Sequence, residues 1–292
     1  MTQLSALPLD VSPPQAYAFS DADFTMIAEL ANRKFGLHLQ TSKKALVYSR
    51  LARRLRALQM DSFNTYCAFI QTSKGETEHP HLLSALTTNV THFFREMHHF
   101  DALRHKIMPE LIEKAQAGRS IRLWSSACSS GQEAYCMAAT ILDAFPDAQR
   151  HDIKVLATDV DAAILGQARA ARYPNEQLNA IPPVFRDIMV SKIADSPDHF
   201  TVQQNVRAIV TFGQLNLIEA WPMKRKFDVI FCRNAAIYFD KDTQSNLWAR
   251  FEQALTPGGY LMIGHSERLS GPAAQHFKST GITTYQKINT TA

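Results

Sequence analysis

The chain has 292 residues, of which 46% are hydrophobic and 20% are charged, and its 31 Lys and Arg against 27 Asp and Glu give a formal net charge of +4. This composition is close to that of an average globular protein, so it argues against intrinsic disorder and, with 11 Gly and 13 Pro, against a collagen-like chain. No apolar run approaches the roughly 18 residues of a membrane span, and residues 1–14 lack the basic and apolar segments of a secretory signal. We therefore expect a cytoplasmic protein with one large domain or two unequal ones.

The basic excess is confined to one stretch near the N-terminus. Residues 21–75 hold nine basic and four acidic side chains, whereas residues 76–292 hold 22 of each. A positive field concentrated in this way favours an anionic partner.

Residues 21–90 are predicted to form a small helical domain that follows a flexible segment over residues 1–20. The first helix is expected to begin after Ser20, because two acids, Asp21 and Asp23, would then lie in its first turn. Apolar residues recur at helical spacing after this point.

The second helix is expected to start near residue 41 and to carry most of the basic excess. Its apolar residues repeat with the period of an α-helix, and cations occupy the positions around them. Two further helices are expected at about 63–70 and 81–88, separated by a polar loop over 73–80. The cations of the second helix, which we expect to bind the anionic partner, are Lys43, Lys44, Arg50, Arg53, Arg54 and Arg56.

From about residue 91 to residue 292 the chain is predicted to form a larger α/β domain. Short apolar strands alternate with helical stretches, which is typical of parallel βαβ units in a doubly wound, Rossmann-like sheet. Residues 185–205 break this pattern, so an inserted subdomain is expected there. The expected strands are 121–125, 153–158, 208–212, 227–232, 259–264 and 283–288, and the expected helices are 133–145, 162–171 and 242–254.

The first of these strands leads into a turn of small residues, 125–131, with Gly131 at its end. In doubly wound sheets, ligands bind beyond the carboxyl ends of the strands, and small residues let the backbone approach them closely. The turn is not a GxGxxG fingerprint, so a diphosphate at this helix N-terminus is disfavoured. A cofactor loop and a turn selected for packing both fit this pattern.

Asp159 ends the second strand, where nucleoside-binding folds place a carboxylate that accepts hydrogen bonds from the ribose hydroxyls. The alternative is a helix cap, which either Asp159 or Asp161 would supply. We favour the ribose role for Asp159 because it lies at the end of the strand. Glu133, in the first turn of the preceding helix, would complement the helix dipole or pair with the ammonium of a sulfonium amino-acid cofactor.

The cysteines and histidines predict no metal site. His92, His98 and His99 are close in sequence, but no carboxylate completes a helical ligand set with them. The cysteines form no CxxC pair and are expected to be reduced thiols. They are Cys67, Cys128, Cys136 and Cys232.

Several short motifs follow one another along the chain. They are residues 88–96 (TNVTHFFRE), 127–133 (ACSSGQE), 157–161 (ATDVD), 227–234 (FDVIFCRN), 237–240 (IYFD), 257–260 (PGGY) and 264–267 (GHSE). Taken together, and in order from about residue 20 to residue 288, they resemble the chemotaxis receptor methyltransferases. These cytoplasmic enzymes transfer a methyl group from S-adenosylmethionine to glutamate side chains of chemoreceptors and release S-adenosylhomocysteine.

This resemblance implies a cofactor, a partner and a set of site residues. Arg95 and Tyr238 would lie nearest the transferred methyl group. The helical domain and a small antiparallel β insertion over about 185–212 would face the cytoplasmic helical domain of a receptor. The residues expected around S-adenosylmethionine are Asn89, Thr91, Arg95, Glu133, Asp159, Asn216, Leu217, Arg233 and Asn234.

The sequence departs from the family pattern at three places. Gln132 and Ala134 stand where the family commonly has Glu and Pro, and Ala235 and Ala236 are smaller than usual. Residues 192–206 contain no glycine, although family members that hold a tethering peptide at the receptor's C-terminus tend to have a glycine-rich hairpin there. Because Pro197 would also interrupt an edge strand, weak or no binding of such a peptide is expected.

Two other functions remain as alternatives. A basic helix beside a methyl-donor site would also suit a nucleic-acid methyltransferase, although the basic segment has few aromatic residues among its cations. The other alternative is a non-catalytic adaptor of chemosensory arrays that keeps the cofactor as a sensor ligand. We expect the enzyme, as a monomer recruited to receptor arrays, with no nucleic-acid partner and no insertion into the membrane.

Overall fold

The computed structural model describes residues 17–87 and 89–289, which form two compact units. The smaller unit consists of residues 17–30 and Gln40–Leu86, and the larger consists of Ala31–Leu39 and the chain from Thr87 onward. Within these described ranges, none of the helices combines the length and the apolar character that a bilayer crossing requires. Of the predicted flexible segment over 1–20, residues 1–16 lie outside the described residues.

The smaller unit is helical, as predicted. Its first helix starts at a capping box, because the amide of Ser20 donates to Asp23 Oδ2 and the amide of Asp23 donates to Ser20 Oγ. Ser62 caps the third helix by accepting from the amide of Thr65. The helices are α1 (Asp21–Phe35), α2 (Lys44–Ala57), α3 (Phe63–Ile70) and α4 (His79–Leu86).

The polar loop predicted over 73–80 is largely helical instead. A 3-10 helix covers Lys74–Glu78, and α4 follows it directly. Pro80 is the second residue of α4, where its missing N–H costs nothing because the first turn has no intrahelical acceptor for it. The core of this unit consists of fully buried apolar side chains of all four helices, among them Ile27, Leu51, Leu55, Phe63, Ile70 and Leu82.

The larger unit contains two β-sheets. Their strands are β1 (Ile121–Ser125), β2 (Ile153–Asp159), β3 (Arg172–Pro174), β4 (Val190–Lys192), β5 (His199–Val202), β6 (Val210–Gln214), β7 (Phe227–Cys232), β8 (Leu255–Ile263), β9 (Phe277–Gly281) and β10 (Thr284–Lys287). The larger sheet has seven strands in the order β6-β2-β1-β7-β8-β10-β9. Strands β6, β2, β1, β7 and β8 are parallel, and β10 and β9 add an antiparallel hairpin at one edge. The smaller sheet is antiparallel and has the order β3-β5-β4.

Hydrophobic side chains cover both faces of the large sheet. Along β7, Val229 and Phe231 belong to one hydrophobic cluster, whereas Ile230 and Cys232 belong to a second cluster on the other face. This alternation follows from the two-residue period of a strand, and burial on both faces explains why residues 229–232 are all apolar. The helices of this unit are α5 (His98–Ala102), α6 (Met108–Gln116), α7 (Gln132–Ala144), α8 (Ala162–Ala170), α9 (Pro183–Met189), α10 (Gln204–Arg207) and α11 (Lys241–Ala254), with a π-helical segment at Leu103–Ile107.

The small antiparallel sheet differs in extent from the insertion expected over 185–212. It begins at Arg172 with β3, because Tyr173 pairs with Phe200 of β5. Residues 210–212 belong to the main sheet, where Val210 lies opposite Val155 of β2. Pro197 falls in the turn between β4 and β5 and interrupts neither strand, so the argument that it spoils a strand edge does not hold.

Candidate functional site

The candidate site lies where the parallel strands of the large sheet end. Strand β1 ends at Ser125, β2 at Asp159, β7 at Cys232 just before Arg233, and β8 at Ile263. Because these strands are parallel and adjacent, the polar residues at and after their carboxyl ends share one edge of the sheet.

Asp159 organises the turn that follows β1. Its Oδ2 accepts from the amide of Ser129 at 2.8 Å, and its Oδ1 accepts from the amide of Asp161 at 3.0 Å. The helix cap of α8 belongs to Asp161, which accepts from the amides of Ala163 and Ile164. Asp159 is therefore not the cap of this helix. Burial raises the pKa of Asp159, although its backbone hydrogen bonds act in the opposite direction.

The turn itself has a backbone that few side chains would permit. Gly131 has φ +95°, in the left-handed region, and a Cβ atom there would lie 2.9 Å from Cβ of Ala168. Ser129 is also left-handed, with φ +50°. The turn thus brings backbone amides and small side chains close to α8, which suits a cofactor loop beside the carboxylate of Asp159.

Arg233 donates hydrogen bonds to two other segments of the site. Its Nη1 donates to Glu133 Oε2 at 2.9 Å, its Nε donates to Glu96 Oε2 at 3.3 Å, and its Nη2 donates to the carbonyl of Arg95. The other oxygen of Glu133 accepts from Ser125 Oγ at 2.6 Å. Burial raises the pKa of Glu133, and the charge of Arg233 opposes that change. The fold therefore brings together Arg95, Glu133 and Arg233, three residues predicted for the site.

Glu96 also accepts two hydrogen bonds from His265. Its Oε1 accepts from the ring Nδ1 of His265 at 2.6 Å and from the amide of the same residue at 3.2 Å. Burial raises the pKa of Glu96, but the hydrogen bond from His265 and the charge of Arg233 outweigh it and lower the pKa to about 2. Burial also lowers the pKa of His99 to about 3.

One group of residues in the described part of the chain has the composition of a metal site. Ligand atoms of Glu96, His98 and His99 lie within 4.8 Å of one another. The carboxylate of Glu96 is already shared by Arg233 and His265. We assign no metal to this group, because a cation there would compete with the guanidinium of Arg233 for the same oxygens.

The segment that carries Arg95 is fixed on both sides. Phe94 and Glu96 both have left-handed backbones, with φ +52° and +57°. Nη1 of Arg95 donates to the carbonyl of Val90 at 3.2 Å, and the amide of Phe94 donates to Cys136 Sγ. A left-handed backbone conformation costs free energy in residues other than glycine, and such residues concentrate at functional sites.

Asn89 lies against the cofactor turn. Its carbonyl accepts from Ser129 Oγ at 2.9 Å, and its Nδ2 donates to Asp161 Oδ2 at 3.3 Å. Thr91, two residues later, is partly exposed. The structure thus links the segment over 89–96 to the turn at Ser129 and to Arg233.

Asn216 and Leu217 follow β6, next to the end of β2. The amide of Leu215 donates to the carbonyl of Asp159, which places this segment at the same edge. The side chain of Asn216 donates to the carbonyl of Lys34 at 3.0 Å and to Glu219 Oε1 at 3.1 Å. The hydrogen bonds of Asn216 therefore join it to residues that were not predicted for the site.

Asn234 and Tyr238 lie in the loop after β7. Asn234 is left-handed, with φ +56°, and its amide donates to Glu267 Oε2. Tyr238 is partly exposed, and its carbonyl accepts from the amide of His38 at 2.7 Å. Glu96, His265 and Glu267 were not predicted for the site, although all three lie in the motifs quoted above.

The cations of α2, in the smaller unit, divide into two groups. Lys44 pairs with Asp21 at 2.6 Å, Arg54 pairs with Glu78, and Arg50 donates to the carbonyl of Leu86 at 2.9 Å. The side chains that remain exposed are Arg53 and Arg56 of α2 and Lys43, which lies in the 3-10 turn just before α2.

The parallel sheet, the small-residue turn and the carboxylate at the end of β2 define a nucleoside-cofactor enzyme of the doubly wound class. Two family models match the chain, "CheR methyltransferase, all-alpha domain" over residues 22–87 and "CheR methyltransferase, SAM binding domain" over residues 89–286. The chain belongs to the CheR methyltransferase family, and its cofactor is S-adenosylmethionine.

Chemotaxis protein methyltransferases of three bacteria illustrate the similarity. The probable enzyme of Rhizobium etli is 45% identical over 252 residues, which cover 86% of this chain and 94% of that protein. Enzyme 2 of Pseudomonas aeruginosa is 37% identical over 283 residues (96% and 98%), and the Escherichia coli enzyme is 36% identical over 271 residues (92% and 91%). These relatives favour neither a nucleic-acid methyltransferase nor a non-catalytic adaptor. The chain is a methyltransferase of chemotaxis.

Proposed function

We propose that this methyltransferase acts on glutamate side chains of chemoreceptors and forms methyl esters. The observation that carries the proposal is the position of Arg233, which ties the segment holding Arg95 to Glu133 at the carboxyl edge of the sheet. The segment of Arg95, whose guanidinium suits a carboxylate, is thereby held together with Glu133, a buried acid that suits an ammonium. The relatives named as chemotaxis protein methyltransferases support the substrate class.

The donor groups at this edge fit S-adenosylmethionine. Asp159 would accept hydrogen bonds from the ribose hydroxyls, and Glu133 would pair with the ammonium of the amino-acid part. Asn89, Thr91, Asn216, Leu217, Arg233 and Asn234 would complete the surroundings. Bound there, the cofactor supplies a methyl carbon that its sulfonium has already activated.

The protein's own part in the reaction is to align the acceptor. A glutamate carboxylate has a reference pKa of about 4.3, so at neutral pH it is ionised and needs no general base. Arg95 would hold this carboxylate through its planar guanidinium, and Tyr238 would orient the reacting end of the site. Alignment of this kind can lower a barrier by roughly 7 to 11 kcal/mol, which suits a reaction that needs no proton transfer.

We propose α2 as the surface that binds the receptor's cytoplasmic helical domain. Arg53 and Arg56 are three positions apart on α2 and therefore lie on one helix face. Both are exposed, whereas Lys44 and Arg54 are engaged in ion pairs within the smaller unit. A glutamate-bearing receptor helix would be attracted to this face. In this proposal the enzyme is a cytoplasmic monomer that is recruited to receptor arrays.

Transfer of labelled methyl groups to purified acceptors tests the substrate class. A receptor cytoplasmic fragment should accept label from S-adenosylmethionine, and the same fragment with its methylation-region glutamates changed to glutamine should not, because an amide is not a comparable nucleophile. DNA and RNA serve as competing acceptors. Label that enters nucleic acid, or that enters the glutamine fragment equally well, would refute the proposal.

A further inference from the structure

Glu267 is a buried carboxylate that accepts four backbone hydrogen bonds. Its Oε2 accepts from the amides of Gly264 at 2.6 Å and Asn234 at 3.0 Å. Its Oε1 accepts from the amides of Ala235 at 3.0 Å and Ile237 at 3.3 Å. The residue is only 5% exposed. Burying a carboxylate costs free energy, so the free energy of these four bonds is needed to hold it there.

Three of the four donors belong to the loop over 234–238, between β7 and α11. This loop carries Asn234, proposed to contact the cofactor, and Tyr238, proposed to orient the reacting end. Asn234 has a left-handed backbone, a conformation that needs support from its surroundings. The fourth donor, Gly264, follows β8, so Glu267 joins the ends of two neighbouring strands.

The fit around this carboxylate is tight. A Cβ atom on Gly264 would lie 2.8 Å from Asn234 Nδ2 and 2.9 Å from both the Asn234 amide nitrogen and Glu267 Oε2. Real Cβ contacts are not this short, so any side chain at 264 would displace the loop or the carboxylate. The loop geometry therefore depends on both residues.

We propose that Glu267 is a positioning residue, which fixes the loop over 234–238 so that Asn234 and Tyr238 meet the cofactor and the acceptor. The inference rests on the proposed function, because the roles of these two residues come from it. A carboxylate is required because two donors converge on each oxygen. A glutamine amide would turn its NH₂ group toward two backbone N–H donors and could satisfy only the other pair.

Three variants and one control test this role. Glu267→Gln keeps the shape of the side chain but removes one acceptor, and Glu267→Asp keeps the charge but shortens the side chain. Gly264→Ala adds a methyl group that would collide with Asn234 and with the carboxylate of Glu267. Asp228→Asn is the matched control, because Asp228 is a buried carboxylate at the opposite end of β7 that accepts from the amide of Arg122 at 2.9 Å. Each protein is measured for thermal stability and, by calorimetry, for affinity to S-adenosylhomocysteine. The kcat and the KM for S-adenosylmethionine are measured with a receptor fragment as the acceptor.

Glu267→Gln and Gly264→Ala should weaken S-adenosylhomocysteine binding and raise KM for S-adenosylmethionine by about tenfold or more, and should lower kcat at saturating cofactor. Glu267→Asp should fall between them and the wild type. Asp228→Asn should lose stability yet keep its affinity and kcat. A structural role alone would lower the melting temperature of the Glu267 variants without changing kinetics below the transition.

Normal affinity and kinetics in folded Glu267→Gln would overturn the inference, as would failure of all three variants to fold, which would make Glu267 a requirement of folding. The proposed function fails separately. If the wild type transfers no methyl group to receptor glutamates, the S-adenosylhomocysteine affinities of the variants still decide whether Glu267 positions the loop.

Discussion

Arg54 holds Glu78 through two hydrogen bonds of 2.7 Å, from Nε to Oε1 and from Nη2 to Oε2. Glu78 is 3% exposed, and the hydroxyl of Tyr66 also donates to it at 3.2 Å. One of the six cations predicted to bind the receptor is therefore part of the packing of the smaller unit. We therefore expect some charges of α2 to stabilise the smaller unit and others to bind the receptor, and mutations should separate the two roles.

Arg54→Met should destabilise the smaller unit. The variant leaves the buried carboxylate of Glu78 without its ionic partner. The free energy of unfolding should fall by roughly 2–3 kcal/mol, which is less than for a fully buried pair because the guanidinium is partly exposed. Urea unfolding followed by circular dichroism, with hydrogen exchange of α2 and α4, measures it. Arg53→Met, one position earlier, should change stability by about 0.5 kcal/mol or less. Equal losses in the two variants would show that the pair with Glu78 is unimportant.

Reversing the exposed charges should impair receptor methylation without affecting the cofactor. The double variant Arg53→Glu with Arg56→Glu should methylate receptors about tenfold more slowly or worse at low salt, because an acidic partner is no longer attracted. The wild-type rate should fall as salt rises past roughly 0.1 M, where the screening length is about 10 Å. Affinity for S-adenosylhomocysteine should not change.

A charge-matched control makes this comparison specific. Lys226→Glu with Lys278→Glu changes the net charge by the same amount at two exposed positions of the larger unit. This variant should methylate receptors at close to the wild-type rate. If both double variants behave alike, the effect depends on overall charge, and α2 is not the docking surface.

Asp159→Ala should weaken cofactor binding. Loss of a charged hydrogen bond to the ribose, together with release of the turn at Ser129, should cost about 1.5 to 3 kcal/mol, or roughly 10- to 150-fold in affinity. Calorimetric titration with S-adenosylhomocysteine measures the change, and Asp147→Ala, at an exposed acid of the same unit, is the control. A folded variant that binds as tightly as the wild type would remove Asp159 from the site.

Glu96 should stabilise the fold in a pH-dependent way. Its pKa in the folded protein is about 2, below the ordinary value of 4.5, so its contribution is fully present above about pH 4.5 and is lost as the pH falls toward 2. The destabilisation caused by Glu96→Gln should therefore be largest near pH 7 and should shrink as the pH is lowered through this window. Urea unfolding of both proteins between pH 7 and pH 3 measures it. A difference that stays constant over this range would contradict the assignment.

Much of the fold could be predicted because local signals agree with the tertiary structure. Helix α1 begins directly after Ser20, as the acids in its first turn predicted, and the apolar run over 229–232 of β7 matches a strand buried on both faces. The helices over 98–116 were missed although their signal was present, since Leu103, Ile107, Leu111 and Ala115 are buried at helical spacing.

The contacts within the site could not be predicted in the same way. The donors to Glu267 include Asn234, 33 positions earlier, and they are backbone amides, which leave no trace in the side-chain sequence. The engagement of Lys44 by Asp21 likewise depends on how α1 and α2 pack. Residue types indicated that carboxylates lie at this edge of the sheet, but only the tertiary structure shows which of them accept hydrogen bonds from the loops.

The chemical nature of the methylated product tests the central claim most directly. Wild-type enzyme is incubated with methyl-labelled S-adenosylmethionine and a receptor cytoplasmic fragment, and the labelled fragment is then treated with mild base. Methyl esters of glutamate hydrolyse to methanol, so the account predicts that the protein-bound label becomes volatile. Label that remains on the protein after base treatment would show N-methylation or another stable linkage, and would contradict the assignment of this enzyme as a glutamate O-methyltransferase.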